Sequence, residues 1–203
     1  MSLYGRFFAV MYDRMMAGTE KAVLTDLRRE LVAQARGSVL EIGAGTGANL
    51  PFYGNAVERL VVAEPESPMA QRLARKLDGR GELVDAAAER LPFEDGTFDT
   101  VVATLVLCTV DDQAKALSEL RRVLKPDGKL LFIEHVRADD PKLARLQDRM
   151  LRINRVIGHG CNCNRMTVDG IKHAGFTIGE LEHSELKKAP PWVRPLVVGT
   201  AAR

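Results

Sequence analysis

The chain has 203 residues, which is about the size of one domain and enough to bury a substantial core. Hydrophobic residues make up 46% of it and charged residues 28%, so fibrous repeats and long disordered tails are excluded. The formal net charge is only +2, which argues against general nucleic-acid binding.

The composition also predicts the compartment. No apolar run approaches the roughly 18 residues of a membrane span. The N-terminal residues offer no secretory core, because Arg6 and Asp13 interrupt them. The three cysteines make no disulfide framework, which favours a reducing environment. We therefore expect a single domain over residues 1–203 in the cytoplasm.

Strand and helix signals alternate along the middle of the chain. In chain order the predicted elements are strands at 38–42 and 60–64, a helix at 67–77, strands at 81–85 and 98–106, a helix capped by Asp111 or Asp112 that ends at the proline–glycine turn 125–128, a strand at 129–135, a long basic helix at 141–157, and β segments near 176–182 and 193–201. Residues 1–36 read as helical and are a candidate cap. This alternation favours an α/β fold with a mostly parallel sheet and helices on both faces, because crossovers between parallel strands are right-handed.

A glycine-rich loop follows the first predicted strand, with the sequence Glu41-Ile-Gly-Ala-Gly-Thr-Gly47. Glycines let the backbone approach a ligand without an intervening Cβ. The G-x-G-x-G spacing differs from the dinucleotide fingerprint, and Glu41 would repel a phosphate but pair with an amino group. Glu64 ends the second strand, where a carboxylate can accept from both hydroxyls of a ribose. This set favours a nucleoside with an amino-acid tail over a nicotinamide dinucleotide.

Four parts of the sequence together resemble the class I S-adenosylmethionine-dependent methyltransferases. They are residues 39–47, the acid at Glu64, residues 88–93 with Phe98-Asp99, and residues 120–128. The resemblance implies a Rossmann-like fold with a seven-stranded sheet, a helical cap at 1–36, a cofactor-binding core at 37–136, and a substrate-side helix and C-terminal strands at 137–203. It also implies S-adenosylmethionine as cofactor and S-adenosylhomocysteine as product.

The same resemblance implies which residues hold the cofactor. Glu41 and the glycine loop would hold the methionine end, Glu64 the ribose hydroxyls, and Ala88 and Glu89 the adenine. The full predicted cofactor set is Glu41, Gly43, Ala44, Gly45, Thr46, Gly47, Asn49, Glu64, Pro65, Ala88, Glu89, Thr104 and Leu105. For Glu89 the alternative is a structural acid before a turn.

A narrower resemblance concerns the methyl acceptor. Several segments are similar to thiol S-methyltransferases of the methyltransferase-11 superfamily. They are residues 104–110, 134–136 and 158–161, with Arg165 and Thr167. This implies a small, lipophilic thiol as acceptor. The alternatives are a quinone ring, a phospholipid amine, or cofactor binding without catalysis, since this chemistry requires no obligatory catalytic residue.

The predicted acceptor side contains His135, Tyr4 and Tyr12. His135 ends the fifth strand and is a candidate base, because little of a free thiol is ionised at neutral pH. Tyr4 and Tyr12 would line the pocket from the helical head. No metal site is predicted, because His159, Cys161 and Cys163 do not follow a standard zinc spacing and Cys108 is distant in sequence.

The helix at 141–157 carries an apolar stripe flanked by arginines. We expect the stripe to pack on the sheet or cap with the arginines in water. The alternative is a weak peripheral contact with an anionic membrane. The expected partner is a small molecule and not a nucleic acid, and the sequence does not indicate an oligomeric state.

Overall fold

The computed structural model describes residues 17–203. Within them the strands are β1 (Gly37–Ile42), β2 (Val57–Ala63), β3 (Glu82–Val84), β4 (Phe98–Thr104), β5 (Leu124–His135), β6 (Thr177–Glu185) and β7 (Pro195–Ala202). They form one sheet in the order β3-β2-β1-β4-β5-β7-β6. Strands β1 to β5 are parallel, whereas β7 runs antiparallel to both β5 and β6. This confirms the predicted seven-stranded, mostly parallel sheet.

The helices cover both faces of the sheet. They are α1 (Thr25–Val32), α2 (Ser67–Leu77), α3 (Gln113–Val123), α4 (Pro141–Ile157) and α5 (Thr167–His173). A π-helical turn at Glu20–Leu24 precedes α1, and short 3₁₀ turns lie at Leu50–Phe52 and Pro191–Val193. None of the helices within residues 17–203 is both long enough and apolar enough to cross a membrane.

Alternate side chains of each central strand build two separate cores. In β1, Leu40 and Ile42 belong to one core, which α3 and α5 cover. Val39, on the opposite face of β1, belongs to the other core, which α1 and α2 cover. The central strands are therefore buried on both faces, which explains why they read as continuous apolar runs.

The local sequence signals placed most elements correctly, with three differences. Strand β4 ends at Thr104 and not at 106, because Leu105 adopts a left-handed backbone conformation with φ of 59°. The predicted turn at 125–128 lies inside β5 as an irregularity, since the pairing with β4 shifts register there. Helix α5 was not predicted, because seven residues that include Gly170 show too little periodicity.

The predicted packing of α4 is found only in part, since Leu143, Leu146 and Met150 of the predicted apolar stripe are partly buried. The face that α4 buries contains Ala144, Gln147 and Asn154, whereas Ile153 and Ile157 of the predicted apolar stripe are 50% and 57% exposed. The reason is hydrogen bonding, because the loops beneath α4 present backbone carbonyls that need donors. Gln147 Nε2 donates to the carbonyl oxygens of Val136 and Cys163, and Asn154 Nδ2 donates to that of Cys161.

Part of the predicted helical head is described. Residues 17–32 are helical, with π-helical geometry at Glu20–Leu24. Tyr4 and Tyr12, the predicted acceptor-side tyrosines, lie outside the described residues.

Candidate active site

Four parallel strands end at the same edge of the sheet, and a cavity of about 620 Å³ lies there. This is the edge where ligands of open α/β sheets bind. The predicted site residues that line the cavity are Gly43, Gly45, Glu64, Pro65, Ala88, Glu89, Leu105 and His135. The structure therefore brings the two ends of the predicted site, the glycine loop and His135, to one cavity.

The glycine loop forms one wall of the cavity. Gly43 has a φ of +54°, and a Cβ at this position would overlap the side chain of Val106. The loop is held by hydrogen bonds from the Ala44 N–H to the Ala63 carbonyl and from the Gly47 N–H to the Ala44 carbonyl. Glycine is required at position 43 because no other residue combines this backbone conformation with this close approach.

Glu64 is a buried carboxylate on the cavity wall, only 5% exposed. Its Oε2 accepts from the Gly45 N–H at 2.7 Å and its Oε1 from the Glu66 N–H at 2.9 Å. Burial raises the pKa of this carboxyl, and the two backbone hydrogen bonds oppose the rise. Each oxygen retains acceptor capacity after one hydrogen bond. The carboxylate therefore fits a ribose, whose two hydroxyls would offset its desolvation.

Glu41 lies beneath the loop and is not among the described residues that line the cavity. Its carboxylate accepts from Asn49 Nδ2 at 2.9 Å and from the Tyr53 hydroxyl at 2.7 Å. Burial raises its pKa to about 7, and the hydrogen bond from Tyr53 and the charge of Arg28 oppose the rise. Arg28 also donates to Asn49 Oδ1 and to the Thr104 hydroxyl. The predicted cofactor residues Glu41, Asn49 and Thr104 thus form a buried network that supports the loop.

The remaining predicted cofactor residues divide between the wall and the loop interior. Ala44, Thr46 and Gly47 are not on the cavity wall in the described structure, whereas Ala88 is. Glu89 Oε1 accepts from the N–H groups of Asp111 and Asp112, at 2.9 and 3.3 Å. Glu89 therefore organises the loop before α3 while it also borders the cavity.

Cys108, His135 and Cys161 meet at the acceptor side of the cavity. The two sulfur atoms are 3.7 Å apart, and His135 Nδ1 lies 3.6 Å from Cys108 Sγ and 3.5 Å from Cys161 Sγ. All three residues are buried and line the cavity. His135 Nε2 is enclosed and has no hydrogen-bond partner among the described residues. The ring nitrogen that has contacts, Nδ1, faces two cysteine sulfur atoms. The role of His135 as a base therefore stays a prediction.

These three groups strongly influence one another's ionisation. The hydrogen bond with Cys108 lowers the pKa of Cys161, burial opposes this, and His135 lowers it further. The pKa of Cys108 is raised by its hydrogen bond with Cys161 and by burial. Burial would lower the pKa of His135, but the contacts with Cys161 and the charge of Glu134 outweigh it and raise the pKa. Of the two cysteines, Cys161 is therefore the more readily ionised.

The contacts that position Cys108 were not foreseeable from local sequence. The carboxylate of Glu134 accepts from the N–H groups of Val106, Leu107 and Cys108, at 3.0, 2.8 and 3.0 Å. Asn162 donates its N–H to the Cys108 carbonyl at 2.8 Å. These contacts join segments far apart in the chain, so no local spacing could have revealed them. The one sequence feature that pointed to these contacts was Glu134, the acid directly before His135.

Comparison with known proteins agrees with this geometry. The family model described as Methyltransferase domain (Methyltransf_11) matches residues 40–132. The chain is 31% identical over 203 residues to thiol S-methyltransferase TMT1A of Homo sapiens, a match covering 97% of this chain and 83% of that protein. It is 32% identical over 127 residues to phosphatidylethanolamine N-methyltransferase of Cereibacter sphaeroides, covering 60% and 62%.

A solved structure extends the likeness to the whole fold. A SAM-dependent methyltransferase from Thermotoga maritima superimposes with a TM-score of 0.72 at 25% identity, covering 100% of this chain and 99% of that one. The cofactor is S-adenosylmethionine, as the resemblance in the sequence implied. With the strand order, the glycine loop and the buried acid at the end of β2, these similarities show that the chain belongs to the S-adenosylmethionine-dependent methyltransferases of the Methyltransf_11 family.

Proposed function

We propose that the enzyme transfers the methyl group to the sulfur of a small, lipophilic thiol. The observation that carries the proposal is the lining of the cavity, much of which is apolar. The apolar side chains contributed by α4 and by the C-terminal part of the chain are Ile157, Leu186, Trp192 and Val193. Such a surface binds an uncharged, lipophilic molecule through the removal of apolar area from water. The similarity to TMT1A over nearly the whole chain supports a thiol within that class.

The chain's own residues have three tasks in this reaction. When bound, S-adenosylmethionine supplies a methyl carbon activated by its sulfonium charge. Glu64 would hold the ribose, the apolar wall would exclude water, and the cavity would align the acceptor sulfur with that carbon. Only a few per cent of a free alkyl thiol is ionised at pH 7, so an environment that favours the thiolate would raise the rate.

A phospholipid amine is the second candidate acceptor, favoured by the similarity to the phosphatidylethanolamine N-methyltransferase over 60% of the chain. A quinone ring as acceptor, and cofactor binding without turnover, are also compatible with the fold. All three predict no methyl transfer to a simple thiol.

The test is transfer of a labelled methyl group from S-adenosylmethionine to a medium-length alkyl thiol at pH 8. The matched control acceptor is the alcohol of the same chain length, which has the same apolar body. We expect labelled thioether from the thiol and no product from the alcohol. No transfer to the thiol, with cofactor binding intact by calorimetry, would contradict the proposal, and the same assay with a quinone or phosphatidylethanolamine would then follow.

We also propose that the C-terminal end of α4 contacts an anionic lipid surface. Ile153, Ile157 and Met166 are 50%, 57% and 55% exposed. The exposed basic residues on the same helix are Arg145, Arg149, Arg152 and Arg155. Apolar side chains flanked by cations suit the interface of an anionic membrane. Because Ile157 also lines the cavity, a lipophilic acceptor could enter from the membrane side.

A further inference from the structure

Three metal-binding side chains converge on the wall of the cavity. The ligand atoms of Cys108, His135 and Cys161 all lie within 4.8 Å of one another. They come from the loop after β4, the end of β5 and the loop after α4. Free cysteine is often buried on its own, so the buried imidazole is the costly member of this set, and its Nδ1 faces only the two sulfur atoms.

The distances fit a tetrahedral ion. Zinc binds a thiolate sulfur at about 2.3 Å and an imidazole nitrogen at about 2.0–2.1 Å, so tetrahedral angles place two sulfurs about 3.8 Å apart and each sulfur about 3.5–3.6 Å from the nitrogen. The observed separations are 3.7 Å between the sulfurs and 3.6 and 3.5 Å to Nδ1. A zinc ion could therefore bind to these three atoms with little movement of the side chains.

The charges fit as well. Two cysteines would each release a proton to solvent when they bind the ion, and His135 would bind as the neutral imidazole through Nδ1. Zn²⁺ with two thiolates carries no net charge, so the three-ligand site buries no excess charge before the acceptor binds. Thiolates with an imidazole are a ligand set that suits zinc over the harder cations Mg²⁺ and Ca²⁺.

The three ligands are held by the surrounding backbone. Glu134 accepts from the Cys108 N–H, and Asn162 donates to the Cys108 carbonyl. Asn154 donates to the Cys161 carbonyl at 2.9 Å. Such contacts orient metal ligands before the ion binds. Cys163 is equally buried but is not part of the convergent set, so it provides a matched control.

We propose that Cys108, His135 and Cys161 form a three-ligand Zn²⁺ site whose fourth coordination position faces the cavity and binds the acceptor thiol as a thiolate. The second part rests on the proposed function. The acceptor loses its S–H proton to solvent on binding. Its sulfur then forms a bond to the methyl carbon while the bond from that carbon to the sulfonium sulfur breaks, with the electron pair staying on the cofactor sulfur. The neutral thioether product is a weaker ligand and leaves.

The first experiment measures zinc binding without reference to activity. The protein is reduced, stripped with a chelator and titrated with Zn²⁺ in competition with a chromophoric chelator, and bound metal is counted by mass spectrometry. We expect about one ion per chain, and affinity at least roughly 100-fold weaker in Cys108→Ser and in Cys161→Ser. Cys163→Ser should bind as the unmodified protein does. Equal affinity in all four proteins, or a loss in Cys163→Ser as large as in Cys161→Ser, would overturn the site.

The second experiment tests the open position with Co²⁺ in place of zinc. Tetrahedral cobalt with thiolate ligands absorbs strongly in the visible and near ultraviolet. Addition of the alkyl thiol should strengthen the sulfur-to-cobalt charge-transfer band, and the matched alcohol should not. An unchanged spectrum in a protein that methylates the thiol would overturn the role of the fourth position. Zinc binding that depends on Cys108 and Cys161, without any thiol methylation, would instead refute the proposed function and leave the metal site standing.

Discussion

At the scale of single residues, Glu64 shows how position gives a common side chain a specific role. Its place in the sequence is the end of a buried strand, and the structure puts its carboxylate on the cavity wall beside the glycine loop. Its pKa is raised because burial removes water from the charged form. A ligand with two hydroxyl donors would restore part of that lost solvation.

We expect Glu64→Ala to weaken binding of S-adenosylmethionine by roughly 1–3 kcal/mol, because charged hydrogen bonds to the ribose are lost. Affinity in the unmodified protein should also fall as pH is lowered, since the raised pKa of Glu64 means that its carboxylate is neutralised at a higher pH than a free glutamate. Calorimetric titration between pH 5 and pH 8 measures both effects.

The control for this variant is Glu58→Ala, which changes an exposed acid at the opposite end of the same strand. It should leave both the affinity and its pH dependence unchanged. Unchanged affinity in Glu64→Ala would show that another group binds the ribose.

At the scale of secondary-structure elements, α4 departs most from its sequence pattern. Its bounds agree with the prediction, because they depend on a local proline start and a glycine end. Its buried face agrees only in part, because Gln147 and Asn154 turn inward to donate hydrogen bonds to loop carbonyls. The periodicity of apolar residues could not predict this, since the carbonyls belong to segments that are distant in the chain.

We expect the protein to sediment with anionic lipid vesicles and not with zwitterionic ones, and to be released by salt because arginines contribute to binding. Ile153→Ser should weaken vesicle binding by about fivefold, because the exposed half of the Ile153 side chain would no longer place its apolar area in the bilayer. Leu181→Ser, which changes another partly exposed apolar residue, should bind as before. Equal binding to both vesicle types would contradict the contact.

At the scale of the whole molecule, buried acids couple stability to pH. Glu41 is almost fully buried beneath the glycine loop, and its pKa in the folded protein is about 7 against an ordinary value of 4.5. The folded state therefore holds this proton more tightly than the unfolded state does. Stability from this group is complete below pH 4.5 and is lost as the pH rises towards 7.

We expect ionisation of Glu41 to lower the free energy of unfolding by about 2 kcal/mol between pH 5.5 and pH 8. Urea unfolding at several pH values measures this for the cofactor-free protein. In Glu41→Gln, which cannot ionise, the pH dependence should decrease by about that amount, whatever the absolute stability of the variant. An identical slope in both proteins would show that Glu41 is ionised throughout this range.

Local sequence was enough to define the strands, most helices, the glycine loop and the acid at the end of β2, because each depends on residues that are neighbours in the chain. Alternation of these elements then led to the parallel sheet and to the edge where the cavity lies. The class of cofactor followed from the same local motifs.

The meeting of Cys108, His135 and Cys161 depends instead on tertiary structure. Cys108 and Cys161 are 53 residues apart, and their spacing carries no pattern that a sequence could display. They meet because the parallel pairing of β4 with β5 places Cys108 beside the end of β5, and because loop contacts bring Cys161 to the same point. Residues that are neighbours in the chain determine the local elements and motifs. The meeting of distant residues depends instead on strand register and loop packing, which the whole chain determines.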